Sequence, residues 1–205
     1  MKSFNDHNAK VLDYALELAK KEKLTKKNLQ ILKLATALHD VAKLNTPLVK
    51  HGFAGAKIAY EQLIKLGFNK RLANKVSRAI ARHMGPLPGF MAGQVIKWEK
   101  EKGEKITFPR PKTKVEQLLY DADMLSLIDR QGIAKILIIR KNVEVFQKED
   151  EETAKKKQII PEEAAWTSAL QSARQAADSL FTKAAKMKAK QLLQEAEKLF
   201  EEFKL

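Results

Sequence analysis

Leu29-Gln30-Ile31-Leu32-Lys33-Leu34-Ala35-Thr36-Ala37-Leu38-His39-Asp40-Val41-Ala42-Lys43 is the stretch whose spacing decides the fold. Leu32, Ala35 and His39 fall three and four residues apart, the spacing of one helical stripe, whereas a strand would alternate apolar and polar residues. Thr25 is the expected N-cap of this helix. The same periodicity extends outward in both directions. Val11, Ala15 and Leu18 mark an earlier helix. A later one begins near Gly55 and stops at Gly67, and another runs from Lys70 to His83, ended by Gly85-Pro86. Pro86 to Gly93 reads as a loop, Pro109-Arg110-Pro111 as a break, and a short basic segment with Trp98 lies between them. Helix is expected again from Val115 to Arg130, and for Ile133 to Arg140, which is Ile-rich but has no partner strand.

Beyond these, Glu149 to Lys157 is a run of charges that reads as a linker. From Pro161 to Leu205 no Gly or Pro interrupts the chain, and Trp166, Leu170, Ala173, Ala177, Leu180, Ala184 and Met187 form a heptad seam. The expected fold is therefore all-α. A helical bundle covers residues 1–148, a charged linker 149–160 and a C-terminal long-helix extension 161–205. The seam must be covered, either by the chain's own domain or by a second subunit as a homodimer.

Composition narrows the chemistry. The 205 residues hold no Cys, so disulfides and thiolate metal sites are excluded. No apolar run approaches a membrane span, and Met1 to Lys20 lacks the profile of a secretory signal, which makes the cytoplasm the expected location. The net charge is +14, and residues 151–205 hold only +1 of it. Such a balance suits nucleic acid or small polyanions such as nucleotides, and equally a Lys-rich solvated surface. Trp98 and Trp166 are expected to serve packing.

The histidines carry the strongest signal. There are 4 (His7, His39, His51 and His83), and each falls on the apolar stripe of a helical pattern. Burying that many imidazoles is costly unless something binds them, and a divalent metal does so. His39-Asp40 sharpens the point, because adjacent helical residues about 100° apart can straddle an ion lying against the helix. Lys43, four residues after His39, stands beside both and can pair with a phosphate oxygen.

These residues, in the order His7, Ala37-Leu38-His39-Asp40-Val41-Ala42-Lys43, His51-Gly52-Phe53-Ala54-Gly55-Ala56, Ala81-Arg82-His83 and Asp121-Ala122-Asp123-Met124-Leu125, resemble the HD superfamily of phosphohydrolases over about residues 4–130. The resemblance implies an HD-domain helical bundle in which His7, His39, Asp40 and Asp123 hold one metal. His51 and His83 match the two-metal branch, where they hold a second ion bridged to the first by Asp40. That branch includes dinucleoside tetraphosphatases, cyclic-dinucleotide phosphodiesterases and di-iron oxygenases. Arg82-His83-Met84 departs from members that carry two adjacent histidines there. Asp123 fits the Ala-Asp-x-hydrophobic pattern better than Asp121, which is left to orient a histidine or face solvent.

The function so implied is metal-dependent hydrolysis of a phosphomonoester, phosphodiester or phosphoanhydride bond in a nucleotide or similar phosphorylated small molecule. One or two divalent ions (Mn, Fe, Ni, Co, Zn or Mg) would serve, with Asp40 and Lys43 as catalytic residues. Two such ions clamp both the attacking and the leaving oxygen of an in-line displacement. No Asp or Glu occurs from Gln62 to Trp98, while Arg71, Lys75, Arg78 and Arg82 make a basic ridge leading to His83. Arg82 and Arg78, with Lys43, are the expected substrate contacts. The alternatives are a di-iron oxygenase with the same ligands and a nucleic-acid-binding protein that keeps the metal for structure.

Overall fold

In a computed structural model the chain is described over residues 2–85 and 89–204, and every regular element among them is helical. The elements are α1 (Lys2–Lys21), α2 (Lys26–Leu38), α3 (His51–Lys65), α4 (Lys70–Arg82), α5 (Gly89–Lys102), α6 (Lys114–Ile128), α7 (Arg130–Asn142), α8 (Glu144–Lys157), α9 (Pro161–Asp178) and α10 (Lys183–Lys204). A single 3-10 turn, Leu48–Lys50, leads into α3. No described helix is long and apolar enough to cross a membrane.

Local chemistry accounts for most of the boundaries. The side chain of Thr25 accepts from the Asn28 amide and caps α2 as expected. Gly67 stops α3 with φ of 83°, a conformation that residues with a Cβ rarely adopt. Thr113 and Glu116 form a reciprocal capping box that starts α6. The helix expected to run through Arg130 instead breaks at Asp129, whose carboxylate caps α7 through the Gly132 amide. Helix α3 starts earlier than Gly55, at His51, because the 3-10 turn feeds directly into it. Of the expected loop over residues 86–93, residues 86–88 lie outside the described ones, and α5 is already formed from Gly89.

Two readings of the C-terminal part need correction. Residues 149–157 are not a linker but the second half of α8. Their Glu, Ala and Lys residues are strong helix formers, and Arg140 of α7 clasps buried Asp150 with both guanidinium arms. The segment after Pro161 is not one helix, since Leu180-Phe181-Thr182 divides α9 from α10. Asp121 makes that corner. Its carboxylate, fully buried on α6, accepts from the backbone amides of Phe181 and Thr182 and from the Thr182 hydroxyl. It neither orients a histidine nor faces solvent.

One core is shared by α1 to α4, α6, α7, α9 and α10. Leu18, Leu32, Ile80, Leu118 and Leu125 share it with Leu170, Ala173, Leu180 and Ala189. Most of the heptad seam is thus spent inside the chain against α6, though Met187 is 66% exposed. Trp166 stacks on Phe200 of α10.

Removing the Asp121 carboxylate should detach this corner. Asp121→Ala leaves buried donors unpaired and should cost about 2–3 kcal/mol in urea unfolding. Metal content should stay at the wild-type level, in contrast to Asp123→Ala.

Candidate metal centre

Five helices deliver one side chain or pair each to a single interior point. His7 comes from the second turn of α1 and Asp123 from the middle of α6. His39 and His83 are the C-caps of α2 and α4, and Asp40 follows in the turns after α2. His51 is the first residue of α3. Two helix C-termini, with their partial negative charge, therefore face the cluster, which favours a cation there. The close approach of α3 depends on glycine: a Cβ on Gly52 would stand 2.7 Å from Met84 Cγ and 3.3 Å from His83 Cε1.

The ligand-bearing atoms fall into two groups, His7 with His39 and Asp123, and Asp40 with His51 and His83, each within 4.8 Å of one another. Asp40 belongs to both neighbourhoods. Its Oδ1 lies 3.1 Å from His51 Nε2 and 3.9 Å from His83 Nε2. Its Oδ2 lies 3.4 Å from His7 Nε2 and 3.7 Å from His39 Nε2. Asp123 Oδ1 is 3.3 Å from His7 Nε2 and 3.8 Å from His39 Nε2.

The outer ring nitrogens explain how these imidazoles are presented. Nδ1 of His39, His51 and His83 lies 2.8, 2.5 and 2.6 Å from the backbone carbonyls of Thr36, Leu48 and Ile80, each three residues earlier. A carbonyl can only accept, so Nδ1 carries the proton and, in the neutral ring, Nε2 presents a lone pair inward. His51 Nε2 and His83 Nε2 are then 3.0 Å apart with no proton between two neutral rings. His39 Nε2 is buried with no hydrogen-bond partner. Buried lone pairs converging in this way are satisfied by a metal ion, so the residues present fit the group.

Electrostatics agrees. Burial opposes ionisation of Asp40, yet His7 and the ammonium of Lys43 beside it hold the carboxyl well below the usual range. Asp123 is likewise held low, chiefly by His7 against the effect of burial. Burial, aided by neighbouring His39, pushes His83 down to about 4, so it is neutral at pH 7. Burial also disfavours a charged His7, but the two carboxylates outweigh it and lift this imidazole to about 9. His7 thus carries a proton between Asp40 and Asp123, positive charge where a metal would put it.

Of the remaining expected residues, Lys43 reaches the cluster: its Nζ is 2.7 Å from Asp40 Oδ2 with the side chain 37% exposed. It stands in a turn and not on the helix, because α2 ends at Leu38. Arg78 and Arg82 go elsewhere. Arg78 Nε and Arg82 NH1 donate to the two oxygens of Glu116, each at 2.8 Å. Glu116 is 1% exposed and also accepts from the amides of Lys112 and Thr113. The acid-free stretch found its carboxylate on another helix, so the inner half of the ridge is a strap between α4 and α6. Spacing within α4 could not show this, although Thr113-x-x-Glu116 carries the sequence signature of a capping box.

The family model described as HD domain matches residues 5–128, which contain all six ligand candidates. No curated protein and no solved structure was found to match the chain.

Breaking the strap should act on stability first. The four donors around Glu116 overcome its burial and depress its pKa, so its contribution is present above the unfolded value of about 4.3 and fades as pH falls through the lower folded one. In metal-free protein, Arg82→Ala should cost about 2–3 kcal/mol at pH 7, and the deficit should shrink below about pH 4. A deficit that stays constant with pH would show that the arginine stabilises by packing alone.

Proposed function

The chain belongs to the HD domain family, whose members are in general metal-dependent hydrolases, and from that premise we propose that it is a phosphohydrolase acting on a nucleotide-like anionic substrate. In this reading two divalent ions are held, one by His7, His39 and Asp123 and one by His51 and His83, with Asp40 shared between them. The observation that carries it is the 3.0 Å approach of the His51 and His83 Nε2 atoms while both Nδ1 atoms are bound to carbonyls. Such an arrangement calls for a cation.

Ions so placed would supply Lewis-acid charge to phosphoryl oxygens and acidify a water molecule. The chain's own contribution is preorganisation. Three carbonyl anchors lock the ring orientations, and the Asp40 carboxylate, 1% exposed, turns one oxygen toward each group. Lys43 is placed to neutralise a phosphate oxygen, since it touches Asp40 and is still more than one-third exposed. Arg78 and Arg82 are left out of this role because Glu116 already holds them.

Metal analysis of purified protein, followed by a screen of mono-, di- and cyclic nucleotides with Mn, Fe, Co, Ni and Mg, tests the reading. Phosphate release dependent on added metal supports it. Absence of any phosphoester turnover, together with a mixed-valent iron signal after aerobic reconstitution, would move the protein to the oxygenases. The expected stoichiometry is about two ions per chain, falling to about one in His51→Ala/His83→Ala, with Asp40→Ala impaired at both positions. A saturated value of one in the wild type would reject the second site. Lys43→Ala should lower kcat together with kcat/KM, the latter by about 10- to 100-fold, the value of one charge-assisted contact of roughly 1.5–3 kcal/mol made to the developing charge.

A further inference from the structure

Charge is distributed unevenly along this chain. Residues 23–98 carry 14 Lys+Arg against 2 Asp+Glu, while all other residues together carry 25 against 23. The two acids are Asp40, buried in the metal centre, and Glu61 on α3. Helices α2 and α4, which pack on each other, therefore present cations with no carboxylate of their own.

The fold gathers some of these cations around a depression. Asn28 of α2, Lys75 and Arg78 of α4, and Thr113, Lys114 and Glu116 at the start of α6 line a cavity of about 200 Å³. At ~30 Å³ per water molecule, it has room for one phosphate group with part of its hydration. Glu116 is the carboxylate in this lining and is fully engaged by Arg78, Arg82 and two backbone amides. Arg78 uses Nε for that bond and is still 51% exposed, and Lys114 is 44% exposed beside its partner Glu22. On the same helices and just before α6, Lys26, Lys27, Arg71 and Lys112 are all exposed.

We propose that α2, α4 and the start of α6 form a docking face for duplex nucleic acid, with backbone phosphates set against Lys27, Arg71 and Lys75, the last of which lines the cavity. The physical case has two parts. At a rise of ~1.5 Å per residue, Arg71, Lys75 and Arg78 span ~10 Å along one side of α4, a distance over which a strand presents about three phosphates at ~3.4 Å of axial rise each. Neither α2 nor α4 contains a Phe, Tyr or Trp, so the face offers cations to the backbone but no platform on which unpaired bases could stack. Contacts of that kind position a duplex without reading its sequence. The inference is independent of the reaction assigned to the metal centre.

Fluorescence anisotropy of labelled duplex DNA and duplex RNA against the full chain, repeated over a salt series, tests it. The variant is Lys27→Ala/Arg71→Ala/Lys75→Ala, chosen because none of these residues holds Glu116 or touches the metal ligands. The control is Lys155→Ala/Lys156→Ala/Lys157→Ala, which removes the same charge from exposed positions on α8. The wild type should bind with log K falling linearly in log salt. The α2/α4 variant should lose about tenfold or more in affinity and about 2–3 units of salt slope, while the α8 control changes less than about twofold. Thermal melts and metal content should match the wild type in both. Equal weakening by the two triple variants would reduce the effect to net charge and overturn the proposal. So would no binding at about 50 mM salt, where backbone contacts are strong, or tighter binding to anionic vesicles or single strands than to duplex.

Discussion

Everything in this molecule is arranged around the burial of four imidazoles whose inward nitrogens have no proton donor of the protein's own facing them. A neutral imidazole can satisfy one donor and one acceptor, and His39, His51 and His83 spend their donors on carbonyls one helical turn back. What remains is a set of lone pairs and two carboxylates in a largely buried site, an arrangement that is strongly unfavourable without a cation. Without metal, the chain relieves it with a proton on His7 and the ammonium of Lys43 against Asp40. With a metal, the same geometry becomes a preformed ligand set.

The carbonyl anchors also explain why the ligands sit at helix ends. A histidine at a C-cap or in the first turn can turn its Nδ1 onto a carbonyl one turn back, which gives the ring a fixed orientation. His39 and His83 use the ends of α2 and α4 in this way, and His51 uses the 3-10 turn before α3. The orientation of the three rings is thus written into backbone hydrogen bonding. Packing of α3 on α4 through Gly52 then brings two of these ends to within 3.0 Å of each other at the ring nitrogens.

How far the sequence could be read follows from the same physics. Helical period was legible because burial is periodic, and the Ala122-Asp123-Met124 pattern pointed to Asp123, which the structure places beside His7 and His39. The role of Asp121 was not legible, since it depends on amides about sixty residues away at the corner between α9 and α10. The run from Glu149 to Lys157 looked like a linker because charge density suggests solvent. In the fold, Asp150 is buried against Arg140, a pairing visible only once α7 and α8 are laid side by side. The arginines of α4 were misread for a related reason: absence of acid nearby in sequence says nothing about acid nearby in space.

Glu116 decides what those arginines can do. By accepting from Arg78 and Arg82 together with two amides at the start of α6, it fastens the last two turns of α4 to the helix that carries Asp123. His83 follows Arg82 directly, so the strap sets the position of a ligand in one group relative to a ligand in the other. A carboxylate left unpaired in the interior would be costly, and so would the inner ends of two arginines without a partner. Their mutual neutralisation removes both problems at once. It leaves Lys43 as the cation in contact with the metal centre, and the outer face of α4 with a surplus of charge directed away from it.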